Sequence, residues 1–339
     1  MGTLYLHVGI HKTGSTAIQN QLFANRARLK ESGTEYLDVC ANHSEVIYSL
    51  FSLEPHNFHV NLSKGLDTPE KVAEHNKALW HDLRRRLADV QDMIISGEDI
   101  CLLHDNGLKR LKSFFEVHFD QIRIIAYVRE PYRFISSLAQ EGLKFGWTLQ
   151  DLYENPPIPD YRSRLQKFYD NFEHVDVRLF RRDMDRDWDV VGDFLQAAGI
   201  HLELRSEASH NESLSINAAR LLDSANRRFP YRNENGLNPQ RARNFAASAL
   251  MIRGPKFRLP QDVMDSIRDR IESECEWTRE KTGLDLLQLG TSDKGEEIGV
   301  TYDSIWDDMA DVINDLSLKW ERTVNTSQYY ERILGLRED

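Results

Sequence analysis

Gly9-Ile10-His11-Lys12-Thr13-Gly14-Ser15-Thr16 is the stretch on which the reading of this chain turns. It follows a short apolar run, Thr3 to Val8, rich in strand-forming residues, and precedes a helical pattern with Ile18, Leu22 and Leu29 on one side. Strand, glycine loop and helix in that order open a P-loop-like α/β domain. The glycines have the spacing of the GxxxxGK[ST] loop, yet Ser15 stands where the nucleotidase lysine belongs, and the lysine is at position 12. That displacement has a chemical meaning. The usual lysine reaches the outer phosphates of a triphosphate, so a loop without it suits γ-phosphoryl transfer poorly. The backbone amides of Thr13, Gly14, Ser15 and Thr16, at the start of a helix, still suit one compact anion, with Lys12 as a positive charge beside it.

Working outward, Met93 to Ser96 and Ile122 to Val128 are compact apolar runs separated by helical stretches at 69–90 and 105–119, the pattern of buried parallel strands with crossover helices. Val175 to Phe180 alternates and reads as a more exposed strand; helices are predicted at 187–198, 213–228 and 261–282. The predicted fold is a three-layer α/β domain over 1–290, a central parallel sheet between helices. The polar segment 291–297 then connects it to a helical appendage within 291–339. In the appendage Ile305, Met309, Val312, Ile313, Leu316 and Trp320 share one helical face, which needs a surface. That surface is the chain's own core, which is the expectation here, or a partner subunit in a homo-oligomer.

Bulk properties narrow the function. At 339 residues, 40% hydrophobic and 10% aromatic, the chain can bury a full core. A net charge of −11 argues against binding a nucleic-acid polymer, which needs an excess of Lys and Arg. Neither a signal peptide nor a membrane span is read from the sequence, so a cytoplasmic location is expected. Cys40, Cys101 and Cys275 are far apart and form no CxxC pair, which leaves them reduced and structural. No metal-ligand spacing stands out; His56 and His59 read as a solvated pair.

A second motif supports the loop. Ile122 to Val128 runs into Arg129-Glu130-Pro131, with Ser137 eight residues after Arg129. Arginine is a forked, permanently charged donor, and a serine on the next helix adds a hydroxyl. With these two motifs in this order the chain resembles the sulfotransferases that use 3′-phosphoadenosine 5′-phosphosulfate (PAPS). HKTGSTAIQ is similar above all to bacterial members that resemble carbohydrate sulfotransferases. The resemblance covers residues 3–288. It implies that Lys12, Thr13, Gly14, Ser15 and Thr16 hold the donor's 5′ end, while Arg129 and Ser137 clasp its 3′-phosphate. Arg253-Gly254-Pro255-Lys256-Phe257, without an RKG string, stands where the family has a basic loop against the same phosphate, which brings in Arg253 and Lys256. Leu179-Phe180-Arg181-Arg182-Asp183-Met184 is similar to the family's strand-then-acidic-turn segment. Asn211-Glu212-Ser213-Leu214 resembles a further block, whose local meaning is a helix cap at Asn211 or Ser213.

The resemblance implies transfer of a sulfuryl group from PAPS to a hydroxyl, more in keeping with a sugar or glycan than a phenol. It leaves 3′,5′-adenosine bisphosphate and requires no metal. Lys12 is the expected charge on the bridging oxygen. Glu98 is the expected general base, because it follows the Met93–Ser96 strand, whose carboxyl end faces the ligand crevice, with its pKa raised by partial burial. His11, titratable near neutrality, is the other candidate base, and His43 is expected on the acceptor side. A P-loop kinase using ATP and a non-catalytic nucleotide-binding or scaffold protein are the competing readings.

Overall fold

The computed structural model describes residues 2–181, 185, 187–206, 213–233, 236–289, 296–299 and 304–333. Among these the chain divides into two compact units. The first comprises 1–130, 160–209 and 274–288; the second comprises 131–159, 210–273 and 289–339.

The first unit is built on a five-stranded parallel sheet flanked by helices, the P-loop-like three-layer fold predicted. Its strands are β1 (Gly2–His7), β2 (Thr34–Tyr36), β3 (Asp92–Ser96), β4 (Phe119–Val128) and β5 (His174–Leu179), in the order β2-β3-β1-β4-β5. The register sets His7 beside Ser96 of β3 and Ile125 of β4, so the carboxyl ends of β1 and β3 finish together. From β1 the chain leaves toward β2, and from β4 toward β5, on opposite sides. A crevice for a ligand is expected at the carboxyl edge where neighbouring strands diverge in this way.

Alternation along the strands divides the core. Tyr5, Ile94, Ile125 and Tyr127 join Ile18, Leu22, Val191, Phe194 and Leu195 in one buried cluster, which seats the helices Ser15–Ala24 and Val190–Ala198. Leu4, Leu6, Ile95 and Ile124, from the intervening positions, are fully buried on the other face. Each such side chain contributes about 2 kcal/mol relative to an exposed one. The helix Val190–Ala198 is capped by Asp189, whose carboxylate accepts from the amides of Val191 and Gly192 at 3.0 and 2.9 Å. Asp193 on that helix accepts a forked pair from Arg178 (2.6 and 2.9 Å) and the Tyr127 hydroxyl (2.7 Å), which ties it to β5 and β4.

Helices make up most of the second unit, among them Pro131–Lys144, Ile216–Arg228, Phe245–Leu250 and the long Ser304–Ile333. The helix at 216 begins at Ser215, whose hydroxyl accepts from the Ala218 amide at 3.0 Å. Ser213 is therefore not its cap, and Asn211 lies outside the described residues, as do Arg182 to Met184 and 291–295 of the expected connector. The helix expected over 261–282 is two, Gln261–Ser266 and Arg268–Thr282.

Beside the boundary expected at residue 290, the chain passes from the first unit to the second between 288 and 289; the second unit also takes in 131–159 and 210–273, and the carboxy-terminal helix is part of it. That helix packs on Ile216–Arg228 with the face opposite to the one expected. Ala310, Asn314 and Ser317 are buried, whereas Ile305, Val312, Leu316 and Trp320 are 57%, 58%, 59% and 58% exposed. Hydrogen bonding explains the choice. Asn314 accepts from the Ala242 amide (2.9 Å) and donates to the Gln240 carbonyl (2.7 Å), Glu321 accepts from the Asn244 amide (2.9 Å), and Asp311 pairs with Arg228 (2.7 Å). Small side chains at 310 and 317 allow the close approach that these bonds need.

Candidate functional site

The loop after β1 takes a backbone shape set by three positive φ angles, at Gly9 (38°), Lys12 (67°) and Gly14 (86°). Gly9 has a second constraint, since a Cβ there would lie 2.8 Å from the Glu98 Cα and 2.9 Å from the Ser15 hydroxyl. Loop and β3 end are thus in direct apposition. Thr13 is buried and its hydroxyl donates to the Ile10 carbonyl, closing the turn from within. Gly14 is the residue before the helix and offers no side-chain cap. The amides of Thr13, Gly14, Ser15 and Thr16 find no acceptor among the described residues. The Ser15 hydroxyl, 3% exposed as a residue, likewise has no partner. Buried polar atoms normally have one, so four amides and a hydroxyl at a helix start fit an anion that none of the described residues supplies.

Arg129, just past β4, donates from Nη1 to the Lys12 carbonyl at 3.1 Å, and its guanidinium lies over the Phe180 ring, 5.5 Å from the centroid. Its backbone is held by Tyr161, whose hydroxyl donates to the Arg129 carbonyl (2.6 Å) and accepts from its amide (3.2 Å). A forked cation is therefore fixed against the loop after β1 by ring, hydroxyl and carbonyl.

On the β3 side, His11 lies between two carboxylates, with Nδ1 3.2 Å from Glu98 and Nε2 3.6 Å from Asp99. The hydrogen bond to Glu98 raises the His11 pKa above its usual 6.5, against the desolvation of burial. The same bond holds Glu98 below the ordinary carboxylate range, and the nearby Lys12 charge acts in the same direction. Asp99, more deeply buried, is pushed up by desolvation. The expectation that burial raises Glu98 is thus corrected: an ion pair with His11 outweighs desolvation. Sequence reasoning missed Asp99 as the third member; its adjacency to Glu98 at a strand end was the available signal.

His43 has a different place from the one expected. It is fully buried, its Nδ1 accepts from the Ser96 amide (2.9 Å), and its Nε2 donates to the Leu37 carbonyl (2.8 Å). Both ring nitrogens are used, and burial lowers its pKa to about 4, so neither remains for an acceptor. Its service is to the scaffold. His43 pins the end of β3, and the next residue, Ser44, accepts from the Asp99 amide at 3.0 Å, which fixes the turn that carries Glu98 and Asp99.

The structure therefore brings together His11, Lys12, Thr13, Gly14, Ser15, Thr16, Glu98 and Arg129 in the first unit. Ser137, Arg253 and Lys256 belong to the second unit. Ser137 is half-buried on the helix Pro131–Lys144. Arg253 is exposed, and its carbonyl accepts from Asn217 (3.2 Å). Lys256 forms a β-bridge with Ser215, the cap of the neighbouring helix.

No protein-family model and no curated protein matches the chain. Among solved structures, one of the PezAT chromosomal toxin-antitoxin system of Streptococcus pneumoniae is similar at 12% identity and a TM-score of 0.29, over 59% of this chain and 85% of that one. A likeness of that size carries no argument about function. No helix among the described residues is long and apolar enough to cross a membrane.

Proposed function

We propose that the chain is a sulfotransferase that moves a sulfuryl group from PAPS to a hydroxyl of a sugar or glycan. The observation that carries this reading is the pairing of an anion cradle lacking the nucleotidase lysine with a titratable dyad at the adjoining strand end. The cradle is the set of unpartnered amides of Thr13 to Thr16 and the buried Ser15 hydroxyl; the dyad is His11 with Glu98.

In the reaction the acceptor oxygen forms a bond to sulfur while the bond from sulfur to the bridging oxygen of the 5′-phosphate breaks, releasing 3′,5′-adenosine bisphosphate. Lys12 balances the charge that develops on the departing oxygen, and the amides hold the phosphate. The acceptor proton goes to the Glu98 carboxylate. One Glu98 oxygen is held by His11, which orients the group, and the two titrate as one unit. With His11 protonated Glu98 is a weak base, so turnover rises as pH passes upward through the raised His11 pKa.

Calorimetric titration with 3′,5′-adenosine bisphosphate beside ATP tests the donor. Binding of the bisphosphate in preference to ATP is expected; preference for ATP with Mg²⁺ points to a kinase, and no binding of either to a nucleotide-independent scaffold. Lys12→Ala is expected to lower turnover about a hundredfold with a smaller loss of donor affinity. Arg129→Ala, which also removes the hydrogen bond to the Lys12 carbonyl, is expected chiefly to weaken donor binding. The reverse pattern in kcat and Kd would overturn these assignments.

A further inference from the structure

A trans peptide is planar, with its carbonyl and its amide hydrogen pointing in opposite directions. The direction of the Lys12 carbonyl therefore decides the direction of the Thr13 amide, the first of the four in the cradle and one without an acceptor among the described residues. Lys12 itself has a left-handed backbone, φ 67°, which an L-residue with a Cβ adopts only at a cost. Relief of that cost means rotation about the Lys12 backbone, and rotation swings the following peptide and its amide out of line. Two bonds oppose it: Arg129 Nη1 donates to the Lys12 carbonyl at 3.1 Å, and the Thr13 hydroxyl donates to the Ile10 carbonyl.

Arg129 can hold that carbonyl only while its own place is fixed. Pairing between β4 and β5 ends at Val128 with Leu179, so Arg129 is the first residue of β4's chain beyond the ladder. Tyr161, at the start of the helix Tyr161–Asn171 and fully buried, takes over there. Its one hydroxyl donates to the Arg129 carbonyl (2.6 Å) and accepts from the Arg129 amide (3.2 Å), the two bonds that a further rung of sheet would have supplied. Burial raises the Tyr161 pKa, which keeps the hydroxyl protonated and able to donate. Phe180 closes the other side. A Cβ at Gly14 would lie 2.8 Å from the Phe180 ring, and the same ring lies under the guanidinium, so it fills the space between the helix start and Arg129. Every one of these residues is in the first unit.

We propose that Arg129 is a positioning residue of the anion cradle, holding the Lys12–Thr13 peptide with its amide toward the bound anion, and that the Tyr161 hydroxyl keeps Arg129 in place for this. The role is separate from any charge that Arg129 offers a ligand directly. It rests on the reading of the cradle as the seat of a nucleotide's 5′-phosphate, and not on which group is transferred.

Calorimetric titration of wild type and Tyr161→Phe with adenosine 5′-monophosphate and with 3′,5′-adenosine bisphosphate tests it. The variant loses a hydroxyl and keeps the ring and the Arg129 charge. Kd is expected to rise about tenfold for both nucleotides, with the ratio between them and the number of binding sites unchanged. A merely structural loss would lower the number of sites and spare the constant. A loss confined to the bisphosphate would overturn the proposal, leaving Arg129 only as a charge for the 3′-phosphate and the sulfotransferase reading intact. Should Tyr161→Phe not fold, Arg129→Ala gives the same decision: weaker monophosphate binding supports the proposal, and unchanged monophosphate binding overturns it. Wild type that binds neither nucleotide would end the sulfotransferase reading, and the ligand-free protein then decides the positioning role. With isotope-labelled threonine, the Thr13 amide resonance, assigned by its loss in Thr13→Ser, is expected to move in Tyr161→Phe; an unmoved resonance would overturn the proposal.

Discussion

His11 and His43 stand on the two sides of one strand end, and the protein makes opposite use of them. His11 is 35% exposed and faces two carboxylates, so charge wins and its pKa rises. His43 is fully buried against a backbone amide and a carbonyl; desolvation wins and its pKa falls to about 4. His7 follows His43: its Nδ1 is 2.7 Å from the Ser96 hydroxyl, its other nitrogen has no partner among the described residues, and its pKa also falls to about 4. A neutral hydrogen-bonding partner does not offset the loss of water around an imidazolium, whereas a carboxylate does. Of these three histidines only the one in the loop is shifted toward its charged form; the other two are hydrogen-bonded to Ser96 and shape the end of β3.

The largest effect that could break this contrast is on Glu98. Glu98→Gln removes the proposed proton acceptor and the anion facing His11 Nδ1. Transfer is expected to fall by about a hundredfold or more, with donor affinity nearly intact. The His11 pKa is expected to drop from its raised position, read by NMR titration of the ring. An active variant would clear Glu98 of the base role. An unmoved His11 titration would show that the ion pair is not what raises it.

Next in size is the acid response of the interior pair. Unfolded His7 and His43 take up protons near pH 6.5, the folded forms only near 4. Each therefore contributes stability that is whole above pH 6.5 and is lost as pH falls toward 4, about 3 kcal/mol apiece by the lower end. Denaturant midpoints measured from pH 7 to 4 should fall steadily over that window. His11 has the opposite sign. With its folded pKa above the unfolded value, its contribution is whole below pH 6.5 and is lost as pH rises through the folded value. A flat profile between 6.5 and 4 would refute the neutral, buried assignment of the pair.

The unequal legibility of these regions has a physical origin. Thr3–Val8, Met93–Ser96 and Ile122–Val128 were readable as strands because strands buried on both faces need unbroken apolar runs. The edge strand Thr34–Tyr36 has three residues and no such run, and it went unread. The loop was legible because glycine at 9 and 14 answers a local backbone demand. The His11–Glu98–Asp99 cluster was only half legible, because it depends on β1 and β3 being neighbours in register across some 89 residues of chain, as for His7 and Ser96. The fate of His43 rests on the partners that the fold supplies at Leu37 and Ser96, which no nearby residue announces. In the carboxy-terminal helix the 3.6-residue period was plain, but the period does not say which face the unit takes. There Asn314, by satisfying two backbone groups, outweighed a stripe of larger apolar side chains.

The finest division of the loop contrast concerns Asp99. It is buried and lies 3.6 Å from His11 Nε2, farther than the 3.2 Å between Glu98 and Nδ1, so its pull on the imidazolium is the weaker of the two. Asp99→Asn should lower the His11 pKa, but by less than Glu98→Gln, and should leave the rising limb of the pH–rate profile displaced toward lower pH with kcat at its plateau little changed. The comparison isolates the two carboxylates, since Ser44 still receives the backbone amide at position 99 in the variant. A larger shift from Asp99→Asn than from Glu98→Gln would make Asp99 the true partner of His11, and the candidate base would then move from the strand-end glutamate to the histidine itself.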